Sequence, residues 1–262
     1  HLFSVGHCRN RAWLVESGPF FRHLHLPAMV AILRHPKAGV ILFDTGYGAP
    51  LQNATSLAAR VYRRILPFHW SEEDGVPRHL RSLGLSVNDI STIFLSHFHP
   101  DHIGSLKDLP AVPILHSQAG LAALTQSTPW ERARAAFFPE LLPDDFPARA
   151  RAIEALPRVV LNEEWRPFTE AFDVAGDESM LAIALPGHAV GQYGLLCRLR
   201  ENRRVFLVAD AAWTQRNIAA LALPGFPAGN LIGDAPVFRE TLRKLHEFRK
   251  RRPEVLLIPS HC

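Results

Sequence analysis

In the segment Ser96-His97-Phe98-His99-Pro100-Asp101-His102-Ile103-Gly104, four side chains able to ligate a metal fall within six residues. Imidazoles at alternate positions, His97 and His99, point to one side of an extended loop. Asp101 and His102 turn toward a neighbouring position about 3.5–4 Å away, the separation of a two-metal site. A lone histidine is ordinarily structural, whereas three with an aspartate at this spacing, directly after an apolar strand, form a metal-binding pattern. Neutral imidazoles and carboxylates suit a borderline divalent cation, zinc first, with manganese, iron and cobalt also compatible. Two such ions lower the pKa of a shared water toward about 7 and polarise a carbonyl or phosphoryl oxygen. The chemistry to expect is hydrolysis.

These side chains need a scaffold, and the patterning supplies one. Short β-type runs are expected at Ala12 to Glu16, Met29 to Leu33 and Val40 to Phe43 as an antiparallel opening. Helical patterns follow at Leu57 to Ile65 and at Pro77 to Leu83, the latter stopped by Gly84. Ser86-Val87-Asn88-Asp89 is a candidate capping box before a buried strand, Thr92 to Leu95, so the histidine cluster lies where a strand opens into a loop. Val112 to His116 predicts a further strand, and Gln118 to Leu142 helical or irregular chain. Strands return at Met180 to Leu185, Gly191 to Leu199 and Arg204 to Val208. Asp234 and Pro236 start a helix carrying Val237, Thr241, Leu242, Leu245 and Phe248 at helical spacing until Pro253, and Val255 to Ile258 is the last strand. Strands in both halves with helices between them predict an α+β chain, two packed sheets with helices on their outer faces, built as one domain over residues 1–262.

The pattern H-x-H-x-D-H after a strand resembles the signature of the metallo-β-lactamase superfamily. Further landmarks are similar: Asp44 in Phe43-Asp44-Thr45-Gly46, His188 in Pro186-Gly187-His188, Asp210 after Ala209, and His261 after Ser260. The resemblance implies the αββα four-layer sandwich. It also implies that His97, His99 and His188 hold one metal, that Asp101, His102 and His261 hold the other, and that Asp210 bridges them. Asp44 is then expected to orient a ligand histidine by accepting its other ring N–H. Asp101 or Asp210 would carry the proton to a leaving alkoxide.

The superfamily cleaves several bond types, so the substrate must be sought in other residues. Class B β-lactamases carry cysteine where Asp210 stands, flavodiiron-type members carry glutamate where His99 stands, and ribonuclease Z adds an RNA-binding arm. Glyoxalase II draws its glutathione site from a C-terminal helical extension. The pattern is most similar to the N-acyl homoserine lactonases and their esterase relatives, which implies attack on a lactone or ester carbonyl. A glyoxalase II-like thioesterase, a phosphodiesterase and a metal-binding protein with little turnover are the alternatives. One position departs from the lactonases: Trp213 stands where they place a tyrosine. Trp213, Phe98, Phe137 and Phe138, with Phe226, are candidate walls of an apolar pocket. His7 and His116 are read as structural.

Composition sets the remaining bounds. The chain has 262 residues, 47% of them apolar, a net charge of +4 and three cysteines, Cys8, Cys197 and Cys262, with no C-x-x-C. That excludes a disulfide scaffold and fits a reducing cytoplasm. No apolar run reaches the roughly 18–20 residues that span a bilayer. The basic cluster Arg243, Lys244, Arg249, Lys250, Arg251 and Arg252 reads as a solvated helix face. The expected partner is a small molecule, with neither nucleic acid nor membrane.

Overall fold

The computed structural model describes residues 1–16, 21–225 and 233–262, and Phe226 lies outside them. The chain forms two compact units, one of His1–Asn10 with His23–Arg151, the other of Arg11–Arg22 with Ala152–Cys262.

In the first sheet, among the described residues, β1 (Leu2–Arg11), β2 (His23–His35), β3 (Gly39–Phe43), β4 (Phe68–His69), β5 (Ile90–Phe94), β6 (Ile114–His116) and β7 (Ala150–Ala152) run in the order β4-β1-β2-β3-β5-β6-β7. β2 and β3 are an antiparallel hairpin, whereas β3, β5 and β6 are parallel. Parallel strands are ordinarily apolar on both faces, and here the carboxyl ends of β3 and β5, with β6, are buried. Phe43 and Phe94, neighbours across the β3–β5 ladder, stack with ring centroids 5.4 Å apart. The expected helices form as Leu57–Ile65 and Val76–Ser82, and Gly84 takes the left-handed conformation (φ 69°) after the second. The capping box forms too, with the Ser86 N–H and hydroxyl both donating to Asp89, at 2.7 and 2.8 Å.

In the second sheet the order is β13 (Val255–Pro259), β12 (Arg204–Ala209), β11 (Tyr193–Arg198), β10 (Met180–Ala184), β9 (Glu170–Asp173) and β8 (Arg158–Val160), antiparallel except for the parallel β12–β13 pair. Helix Ala235–Arg251 makes the connection that a parallel pair requires. Asp234 caps it by accepting the Val237 N–H at 3.0 Å. Its stripe of Phe238, Leu242, Leu245 and Phe248 joins Ile183, Phe206, Val208 and Leu257 of the sheet in one buried cluster. Burying side chains of this size contributes about 1.5–3 kcal/mol each.

The predicted strand at Ala12 to Glu16 is a helix. Ala12, Val15 and Glu16 are its buried positions, a spacing of three and four that belongs to a helix and not to a strand of period two. β1, β4 and β7 to β9 were not expected from the sequence: β4 and β7 to β9 are two to four residues long, and Gly6 with three basic residues breaks the alternation of β1. The basic cluster lies on helix Ala235–Arg251 and just after it, where Arg243, Arg251 and Arg252 pair with Glu240, Glu247 and Glu164. Among the described residues no helix is long and apolar enough to cross a membrane.

Candidate metal centre

In the first unit the ligand loop is locked by the turn that follows the neighbouring parallel strand. Asp44 leaves β3 in the left-handed conformation (φ 60°), a conformation that Asp tolerates better than most residues. Its N–H donates to Phe94 O at 2.8 Å, and its carboxylate accepts three bonds: the Ser96 N–H at 2.7 Å, the Ser96 hydroxyl at 2.8 Å and His102 Nδ1–H at 2.7 Å. Thr45 closes the clamp, its N–H and hydroxyl both donating to His102 O at 2.8 and 3.0 Å, while the Ser105 hydroxyl donates to Thr45 O at 2.6 Å. Burial pushes the Asp44 carboxyl above its usual range, and His102 and Ser96 pull it part of the way back.

This network dictates which ring nitrogens are left to ligate. His102 spends Nδ1–H on Asp44, so its lone pair is on Nε2, which lies 3.6 Å from Asp101 Oδ2. The Ser96 hydroxyl gives its proton to Asp44 and accepts His97 Nδ1–H at 3.0 Å, which places the His97 lone pair on Nε2. That atom faces His99 Nδ1 at 3.0 Å. Two ring nitrogens this close share either a proton, with His99 Nδ1–H donating to His97 Nε2, or a cation that takes both lone pairs.

In the second unit the donors come from three turns. Asp210 follows β12 at Ala209, whose φ is 48°. One carboxylate oxygen, Asp210 Oδ2, lies 3.2 Å from His188 Nε2 and 3.3 Å from His261 Nε2. The Ser260 N–H donates to Ala209 O at 3.3 Å and the His261 N–H to Trp213 O at 3.1 Å, holding the two strand ends in register. The Pro186-Gly187-His188 turn sits on the start of helix Ala235–Arg251: the Asp234 N–H donates to Gly187 O at 2.8 Å, the Gly233 N–H to His188 O at 3.0 Å, and the Thr241 hydroxyl to Pro186 O at 2.7 Å. Gly187 (φ 123°) is required there, because a Cβ would fall 2.3 Å from Phe238 N.

Each unit therefore collects its share of the predicted ligands just beyond strand ends: His97 to His102 after the parallel strand β5, Asp210 and His261 after the parallel pair β12 and β13, and His188 after β10, which is antiparallel to its neighbours. His97, His99, Asp101 and His102 come together in the first unit, and His188, Asp210 and His261 in the second. Their donor chemistry fits a borderline divalent cation. Of the pocket candidates, the Phe137 ring is 5.6 Å from His99, and the Trp213 ring meets His188 edge-on at 5.8 Å. Phe98 and Phe138 are each 1% exposed, Phe98 beside His116 and Phe146, Phe138 against Tyr62. His116 is buried, its Nδ1 2.9 Å from Ser117 O. Sequence reasoning did not assign Ser96, Thr45 or Ser105. Ser96 stands inside the motif it orients, which was a signal available to it.

The model of the metallo-beta-lactamase superfamily matches residues 26–261. The chain belongs to that superfamily and is a metallo-hydrolase. Among curated relatives it is 24% identical to the N-acyl homoserine lactonase AttM of Azorhizobium caulinodans over 229 residues, 86% of this chain and 76% of that one. It is 24% identical to the N-acyl homoserine lactonase AiiB of Agrobacterium fabrum over 246 residues, 90% of this chain and 80% of that one. A solved quorum-quenching N-acyl homoserine lactone lactonase superposes with a TM-score of 0.71 at 20% identity, covering 100% of this chain and 90% of that one. For the dizinc quorum-quenching lactonase AidC the TM-score is 0.65 at 17% identity, covering 99% of this chain and 86% of that one. The fold is thus the metallo-β-lactamase fold, two mixed sheets with helices, as the motifs implied.

Proposed function

We propose that the chain is a dinuclear lactonase or esterase acting on a lactone or ester with an apolar substituent, its two units working as one domain. His97, His99 and His188 hold one cation, Asp101, His102 and His261 the other, and Asp210 bridges them; zinc is the preferred ion. The observation that carries this reading is Asp210 Oδ2 between the Nε2 atoms of His188 and His261. It is an anionic oxygen where the β-lactam-cleaving members carry cysteine. The similarity to AttM and AiiB over most of the chain supports the same substrate class.

When bound, such cations supply a water of lowered pKa and polarise the scissile carbonyl. Asp44 and Ser96 fix the tautomers of His102 and His97, so the donor set is ready without reorganisation. Asp101 or Asp210 passes a proton to the departing alkoxide. Trp213 and Phe137 face the substrate, with Phe98 and Phe138 packed as their backing. The Trp213 Nε1–H is buried and meets no protein acceptor among the described residues, which suits a donor to the substrate carbonyl. An indole N–H donates a hydrogen bond but, unlike a phenol, does not release its proton.

Metal analysis joined to kcat/KM for N-acyl homoserine lactones, aryl esters, thioesters, a phosphodiester and a β-lactam tests this reading. About two ions per chain and a preference for lactones or aryl esters are expected, and a phosphodiester as best substrate overturns it. At Trp213 the expected effect of Trp213→Ala is a raised KM with the metal content unchanged. If the indole only fills the core, the same change costs about 3–5 kcal/mol of stability and leaves KM where it was. Trp213→Tyr separates the two further, since better lactone hydrolysis in that variant marks the position as substrate-facing.

A further inference from the structure

Three more imidazoles meet on the seven-stranded sheet, none of them among the candidate ligands above. His7 on β1 lies directly opposite His69 on β4 in the antiparallel register, and His25 is on β2, the strand on the other side of β1. Ring centroids are 5.3 Å apart for His7 and His69 and 5.5 Å apart for His7 and His25. That is close to the spacing between strands, about 4.8 Å, so the three rings form a row across one face. His7 is partly buried, while His25 and His69 are exposed. No hydrogen bond to a protein group holds any of these rings among the described residues. The sequence suggested a structural role for His7, yet a structural histidine is normally held by a hydrogen bond, and among the described residues the rings that the His7 imidazole meets are those of His69 and His25.

We propose that His7, His25 and His69 form an additional site for a borderline divalent transition cation, such as zinc, nickel or copper, which pins the short edge strand β4 to the sheet. Imidazole-only donors select these ions over magnesium or calcium. Exposed side chains change rotamer within nanoseconds, so His25 and His69 can swing onto a cation held at His7 without moving the backbone. The charge environment keeps the central ring in its ligating form. Burial and the adjacent His69 and His25, together with Arg9, push its pKa below the usual histidine range, against the pull of the Asp74 carboxylate.

The test uses protein loaded with two equivalents of zinc for the proposed hydrolytic centre and then desalted, with elemental analysis confirming that no third equivalent is retained. Calorimetric titration with nickel at about pH 7.5 is expected to show one further equivalent, and that binding should weaken at least about tenfold at about pH 5.5, because protons compete with a cation for imidazole nitrogens. His69→Ala is expected to abolish the additional equivalent while zinc content and hydrolysis stay at the wild-type level. His25→Gln, a change at an exposed position, repeats the test if circular dichroism shows that His69→Ala has lost structure. The same nickel uptake in wild type and in either folded variant, or no further equivalent in wild type, overturns the proposal.

Discussion

Asp210→Asn is expected to lower kcat/KM on the order of 1,000-fold and to release at least one equivalent of metal from the purified protein. The asparagine is nearly the same size, so packing is preserved. What disappears is the negative charge on an oxygen that stands 3.2 and 3.3 Å from two imidazoles. An amide oxygen is a poorer ligand for a divalent cation and cannot offset repulsion between two of them. Its NH2 end would also present a donor to ring nitrogens that must remain acceptors. Elemental analysis and steady-state kinetics on one preparation measure both effects. Unchanged metal content with unchanged turnover shows that this carboxylate is not the bridge.

Gly187→Ala is expected to cost about 3–5 kcal/mol and to lower the melting temperature by roughly 10 °C. The position has φ 123°, where an L side chain is strained, and the new Cβ would lie 2.3 Å from Phe238 N, 2.4 Å from Phe238 Cα and 2.8 Å from Val237 C. All three atoms are backbone at the start of a helix whose Phe238 is 1% exposed, so no flexible side chain can give way. Melting in chelator isolates this cost from any loss of bound metal at the adjacent His188. A melting temperature within about 2 °C of wild type under those conditions rules out the tight turn-to-helix contact.

The candidate ligands were legible in the sequence because metal chemistry leaves a local pattern, and His97, His99, Asp101 and His102 sit side by side in it. The strands flanking them were legible for a different reason. β3 (Gly39–Phe43) and β12 after Arg204 are apolar runs, and β5 ends in buried Ile93 and Phe94, leaving few alternatives. Of the clamp around His102 only Asp44 was anticipated, through the family resemblance; Thr45, Ser96 and Ser105 were not, since they meet their partners through contacts 52 to 60 residues apart, and a serine or threonine gives no periodic signal. Edge strands such as β4 and β8 are too short for a pattern. The helix at Ala12–Glu16 was misread because its apolar stretch is only five residues long, and burial at its first, fourth and fifth positions decides between the two periods.

The uneven spacing of the ligands bears on how the chain folds. Four donors lie within six residues, whereas Asp210 meets His261 across 51 residues and only after β13 has paired with β12. A denatured chain thus already carries a chelating peptide for half of the centre, and the other half exists only once the sheet is assembled. Zinc bound to that peptide stabilises the unfolded state as well as the native one and reduces the net gain from binding. It also holds an otherwise free loop in a geometry of its own. Refolding with excess zinc is expected to lag behind refolding in chelator followed by addition of the metal.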